Sequence, residues 1–88
     1  MPTLTSAYQL IARWQAAWSL AHPLDNVAGE IRIIKDPDLG KFGARVAVTR
    51  DTDDDFIIVG TGYNNDPIRA VQEAIHEFGV RVKMRNAL

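Results

Sequence analysis

Phe42-Gly-Ala-Arg-Val-Ala-Val-Thr-Arg-Asp-Thr-Asp-Asp-Asp-Phe-Ile-Ile-Val59 is the run on which the fold turns. In its first half Phe42, Ala44, Val46 and Val48 alternate with Gly43, Arg45, Ala47 and Thr49. That period of two marks a strand with one face in a core. Asp51-Thr-Asp-Asp-Asp55 then supplies turn residues, and Phe56-Ile-Ile-Val59 opens a further strand that is apolar on both faces. A strand of that kind is either covered on both sides or turned toward a partner.

Working outward toward the N-terminus, Ile31 and Ile33 point opposite to Glu30 and Arg32, so an earlier half-buried strand begins near Val27. Asp36-Pro-Asp-Leu-Gly40 joins it to the central strand through a short turn. Before it, Ala7, Leu10, Ile11, Trp14, Ala17, Trp18 and Ala21 recur at helical spacing, which predicts a helix from about Thr5 to Ala21. Thr5 or Ser6 can cap its start, and Pro23 disfavours helical geometry at His22.

Toward the C-terminus, Gly60-Thr-Gly62-Tyr-Asn-Asn65 is expected to end the third strand, and Asp66-Pro67 to open a second helix as an acidic cap followed by proline. Ile68, Val71, Ala74, Ile75 and Phe78 form its apolar stripe, and Gly79 is its expected stop. Beyond it Val80, Val82 and Met84 alternate with Arg81, Lys83 and Arg85, which predicts a fourth strand; a helix running on through Gly79 is the competing reading. The expected fold is therefore α+β in the order α-β-β-β-α-(β): a three-stranded antiparallel meander covered on one face by two helices.

Composition narrows what this fold is expected to do. An 88-residue chain has room for one domain, and 47% hydrophobic against 24% charged residues is a globular balance rather than a disordered one. With no cysteine there is no disulfide, thiolate metal site or thiol nucleophile. A net charge of -1 lacks the basic excess with which sequence-independent nucleic-acid binders displace counterions. The longest nearly apolar stretch, Ala16-Ala-Trp-Ser-Leu-Ala21, is too short for a bilayer, so a cytoplasmic protein with no membrane association is expected.

No chemical motif in the chain is complete. Gly60-Thr-Gly62 lies between strand and helix, but Asn65 stands where a dinucleotide-binding loop has its third glycine, and no P-loop lysine follows. These glycines are expected to let the strand bend and admit the helix. Asp51, Asp53 and Asp55 begin like a calcium loop, yet Phe56 replaces its glycine and Gly62 its bidentate glutamate. His22 and His76 are the only histidines, and two of them without a third ligand make a poor zinc site. Ser6 and Ser19 have no base beside them that the sequence predicts. The expectation is a non-enzymatic chain without cofactor or metal.

Three groups of residues remain as candidates for binding. Acids gather at the turns (Asp36, Asp38, Asp51, Asp53, Asp54 and Asp55, with Asp66 at the second helix) and suit a basic partner surface or imitate nucleic-acid phosphates. Tyr8, Trp14 and Trp18 lie on a first helix that has almost no charged face, because Arg13 is the only charged side chain between Met1 and Leu24. Tryptophans so placed fill a core or form an interface, and Tyr8, offset from the other two, favours some exposure. A basic strip of Arg81, Lys83 and Arg85, joined by Arg32 or Arg45 on the sheet, is the candidate for contact with nucleic acid.

The order helix, three-stranded meander, helix resembles the double-stranded RNA-binding domain, and Phe42 to Phe78, with Gly60-Thr-Gly62 ahead of a helix carrying Ala70 and Ala74, looks like that family's second half. The family grips phosphates with lysines at the start of its second helix, where this chain has Asn64-Asn-Asp-Pro-Ile-Arg69. The resemblance therefore implies topology more than RNA-binding chemistry. In size, lack of motifs and acidic turns the chain is also similar to small phage-encoded inhibitors, including the anti-CRISPR proteins. The leading expectation is a binding module that covers a surface of a protein partner. A nucleic-acid-binding domain and a homodimeric structural domain are the alternatives, the dimer being suggested by the doubly apolar third strand.

Overall fold

The computed structural model describes residues 4–36, 38–53 and 55–86. Its elements are α1 (Leu4–Ala21), β1 (Asn26–Ile33), β2 (Phe42–Arg50), β3 (Phe56–Asn64) and α2 (Pro67–Asn86). The strands form one antiparallel sheet in the order β1-β2-β3, so the expected α+β meander is the fold.

The alternation in β2 organises the rest. Cross-strand register aligns Gly29, Val46 and Gly60 in one row and Ile31, Ala44 and Gly62 in the next, all on the helix-bearing face. Val46, Val48, Val71, Ala7, Ala70 and Ala74 lie at the centre of the core, each below the reach of solvent. The opposite face carries the rows Glu30-Arg45-Thr61 and Arg32-Gly43-Tyr63 and is open. An antiparallel sheet can leave one face to water in this way.

Two boundaries differ from the sequence expectation. β3 does not stop at the glycines but runs through them to Asn64. The reason lies above it: a Cβ on Gly60 would collide with the backbone oxygen of Ala74 and lie 2.6 Å from Phe78 N, and one on Gly62 would collide with the backbone oxygen of Ala70. The glycines thus admit the helix, as expected, while the strand continues beneath it.

The expected fourth strand over Val80–Met84 is replaced by helix, since α2 continues through Gly79 to Asn86. Phe78 is buried, Val82 packs against the core, and Arg85 sits 4.1 Å from the centre of the Phe56 ring. Spacings of four and three residues keep these side chains on one helical face. That packing outweighs the cost of an interior glycine, which is about 1 kcal/mol. The start of α2 is as expected: Asp66 Oδ1 accepts from Ile68 N at 2.9 Å, and Asp66 O accepts from Ala70 N at 3.0 Å.

Candidate interaction surface

Antiparallel strands place the two acidic turns at opposite ends of the sheet, and the nine-residue β2 holds them about 30 Å apart. The structure therefore separates Asp36 and Asp38 from Asp51, Asp53 and Asp55; Asp54 lies outside the described residues. Asp36 has a local task, because its Oδ1 accepts from Asp38 N at 2.9 Å and its backbone oxygen from Leu39 N at 3.3 Å. Gly40 completes this turn at φ 94°, where the backbone of Asn64 comes within 3.0 Å of any added Cβ. Asp51, Asp53 and Asp55 are exposed at the other end.

The aromatic residues of α1 divide in the same manner. Trp14 and Trp18 turn inward and each meets the ring of Phe78 edge to face, at 5.1 Å and 84°. Tyr8 is half exposed, as its offset position suggested.

Trp18 also leads to a polar node that the sequence did not announce. Its indole Nε1 donates to Asp25 Oδ2 at 2.8 Å, while Arg50 Nε donates to Asp25 Oδ1 at 2.6 Å. The Asp25 side chain is only 1% exposed. Burial pushes its pKa up, but hydrogen bonds from Trp18 and Arg50, with the charges of Arg50 and His22, outweigh that and hold the carboxyl below its usual range. His22 stacks on Trp18 at 4.3 Å, and the Arg50 guanidinium lies 5.0 Å from the centre of the Phe56 ring. A cleft of about 340 Å³ opens between these groups and Arg85. Each side-chain oxygen of Asp25 already has a donor, so the node pins the α1–β1 connection to the end of β2.

Around that node, one end of the molecule gathers exposed apolar and acidic groups. Leu20 at the end of α1 is 87% exposed and Leu24 in the following loop is 70% exposed. Register brings β2's last residues, and hence the Asp51–Asp55 turn, to the same end as Asn26 and Asp25. Leu20 and Leu24 are the residues that sequence reasoning missed. The available signal was a helix end with no charged residue in its last turn.

The expected basic strip does not assemble. On a helix Arg81 and Lys83 diverge by about 200°, and Arg81 pairs with Glu77 at 2.8 Å while Arg85 lies over Phe56. Arg32 and Arg45 occupy the open sheet face, where Arg32 pairs with Glu30 at 3.0 Å. They line a shallow groove of about 230 Å³ floored by Gly43 and flanked by Tyr63. At the start of α2, where the RNA-binding resemblance would place phosphate contacts, the surface presents Lys41 and Arg69 beside Asn64, Asn65 and Asp66.

Among the described residues no group of three or more His, Asp or Glu side chains could hold a metal ion, and no helix is long and apolar enough to cross a membrane. No known protein family, curated protein or solved structure matches the chain.

Proposed function

We propose that this chain is a non-enzymatic binding module that covers a surface of a protein partner with the end of the sheet formed by the α1–β1 connection and the β2–β3 turn. One observation carries this reading: Leu20 and Leu24, 87% and 70% exposed, share an end with exposed Asp51, Asp53 and Asp55. Large apolar side chains in water gain most when a partner covers them, and acids at the rim select a basic surround on that partner. Trp18, His22, Asp25 and Arg50 hold this end in place behind the contact. A phage-type inhibitor, as the anti-CRISPR proteins are, is one concrete form of such a module.

The test is affinity capture from cells of the source with the wild-type chain and two double variants, Leu20→Ser with Leu24→Ser and Asp51→Lys with Asp53→Lys. Both should lose the captured partner while unfolding free energy changes by no more than about 0.5 kcal/mol, as expected of exposed positions. A partner retained by both variants would remove this end from the function.

Arg32, Arg45 and Tyr63 around the open-face groove favour a second reading, contact with nucleic acid. Salt-dependent retention of duplex RNA that is lost in Arg45→Glu would move the function to that face.

A further inference from the structure

The two edges of the sheet are treated differently. Along β3, Thr61 N and Thr61 Oγ1 both donate to Glu77 Oε2 at 3.1 Å, and Asn64 Nδ2 donates to Glu73 Oε2 at 2.9 Å. Glu77 of α2 therefore caps one outward N–H of that edge, that of Thr61, while Glu73 holds the Asn64 side chain. Among the described residues β1 has no such cap. Ile34 N donates to Lys41 O at 2.7 Å, so the alternation of an antiparallel ladder turns the backbone groups of Ile33, Ile31, Gly29 and Val27 away from β2. Among the described residues, no side chain or loop hydrogen-bonds to these four. Ile33, the last of the four along the strand, is 68% exposed.

We propose that β1 pairs antiparallel with β1 of a second copy of this chain, about a two-fold axis at Ile31, joining two three-stranded sheets into one. This goes beyond the proposed partner-binding end and uses a different surface.

Charge selects the register. With the axis at Glu30, two glutamates face each other; with the axis at Arg32, two arginines do. An axis at Gly29 sets Glu30 opposite Ala28 and Arg32 opposite Asn26, leaving both without an opposite charge. Only the axis at Ile31 sets Glu30 opposite Arg32 of the partner subunit, and by symmetry Arg32 opposite Glu30 of the partner subunit. Directly opposed unlike charges stabilise a cross-strand pair and like charges weaken it. The existing Glu30–Arg32 pair within each strand then becomes half of a four-membered alternating cluster.

The same axis places exposed Ile33 across from Gly29 of the partner subunit and brings the outer flanks of the two α1 helices toward each other. Ile11 and Gln15 lie over Gly29, and Tyr8, half exposed, continues their stripe. A first helix with almost no charged face is suited to such a neighbour. Two-fold pairing is closed, so it ends at a dimer, and it points the two Leu20–Leu24 ends in opposite directions.

Sedimentation velocity over a concentration series tests the pairing, with circular dichroism to confirm that each variant is folded. The wild-type chain should reach dimer mass as concentration rises. Ile33→Pro removes an outward N–H that no hydrogen bond among the described residues uses, and should yield monomer. Glu30→Arg and Arg32→Glu should each shift the equilibrium toward monomer by tenfold or more, and the double swap Glu30→Arg with Arg32→Glu should restore the dimer. A wild-type chain that stays monomeric throughout would overturn the proposal. So would a dimer that ignores both single reversals, or one released by Ile57→Lys but not by Ile33→Pro. Loss of the captured partner in the preceding experiment would leave this result unaffected, because none of its variants lies on β1.

Discussion

The two helices cover the same sheet by different means. α2 lies so close to β3 that its backbone rests over Gly60 and Gly62, where the carbonyl oxygens of Ala74 and Ala70 occupy the space a Cβ would need. α1 stands on side chains instead: Ile11 reaches Gly29, Trp14 and Trp18 reach Phe78, and the indole of Trp18 is tied to Asp25. Backbone-to-backbone packing tolerates no added atom, whereas packing through long side chains can shift. One helix is placed by the absence of side chains and the other by a few specific ones.

That contrast is broken most severely at the glycines. Gly60→Val introduces branched atoms into space held by the Ala74 carbonyl and by Phe78 N at 2.6 Å, and neither is the flexible end of a side chain. Relief requires α2 to lift from β3 along the row centred on fully buried Val46. The expected loss is about 3 kcal/mol or more, enough to leave little cooperative structure in a domain of this size. Denaturant unfolding followed by near-ultraviolet circular dichroism measures it. A variant within 1 kcal/mol of wild type, a tenth or so of a small domain's stability, would mean the helix is not held at this distance.

The α1 side is tested next at its polar node. Arg50→Met keeps much of the side-chain volume but leaves the 1%-exposed Asp25 carboxylate with Trp18 as its remaining hydrogen-bonding neighbour. Removing one member of a buried pair costs about 3 kcal/mol, because the other charge stays desolvated. Arg50 is partly exposed, so water can reach the site and the expected loss is nearer 2 kcal/mol. Trp18 fluorescence should change in the same variant, since the carboxylate that binds its indole is then free to move.

The pH dependence of this node has a definite sign. Asp25 titrates below its ordinary value of 3.8 in the folded chain, so the unfolded chain takes up its proton first as pH falls. The stability it contributes is present above pH 3.8 and is lost as pH drops through the lower folded value. Asp25→Asn should therefore be less stable than wild type at neutral pH, and the gap should narrow in acid. Thermal unfolding across that range shows whether the two curves converge; parallel curves would mean that the node does not favour the ionised form.

The sequence made some of this arrangement legible and hid the rest for physical reasons. Alternation in Phe42–Thr49 and the Asp66-Pro67 start of α2 are local signals, and both appear where expected. The pair Gly60 and Gly62 correctly indicated an admitted helix, but glycine also signals a strand end, and that second meaning misplaced the boundary of β3. Asp25 could not be read at all, because its partners Trp18 and Arg50 lie 7 and 25 residues away. The acidic turns looked like one surface because composition carries no direction, whereas antiparallel strands send Asp36 and Asp53 to opposite ends.

Gly79 gives the smallest and most discriminating effect on the comparison. Six residues from Val80 to Arg85 alternate apolar and basic, and a period of two and a period of 3.6 are hard to distinguish over so short a span. The decisive contacts, Val82 on the core and Arg85 over Phe56, are tertiary. An added Cβ on Gly79 meets nothing within 4 Å, unlike the glycines of β3 beneath the same helix. Gly79→Ala should then raise stability by about 0.5 to 1 kcal/mol, through reduced backbone freedom in the unfolded chain and better helix propensity. Its effect is opposite in sign to that of Gly60→Val, though both add bulk at glycines in contact with or within α2. Equilibrium unfolding of the two variants side by side checks that sign. A destabilised Gly79→Ala would mean that the last two turns of α2 are not helical in solution, and would bring back the strand that the alternation suggests.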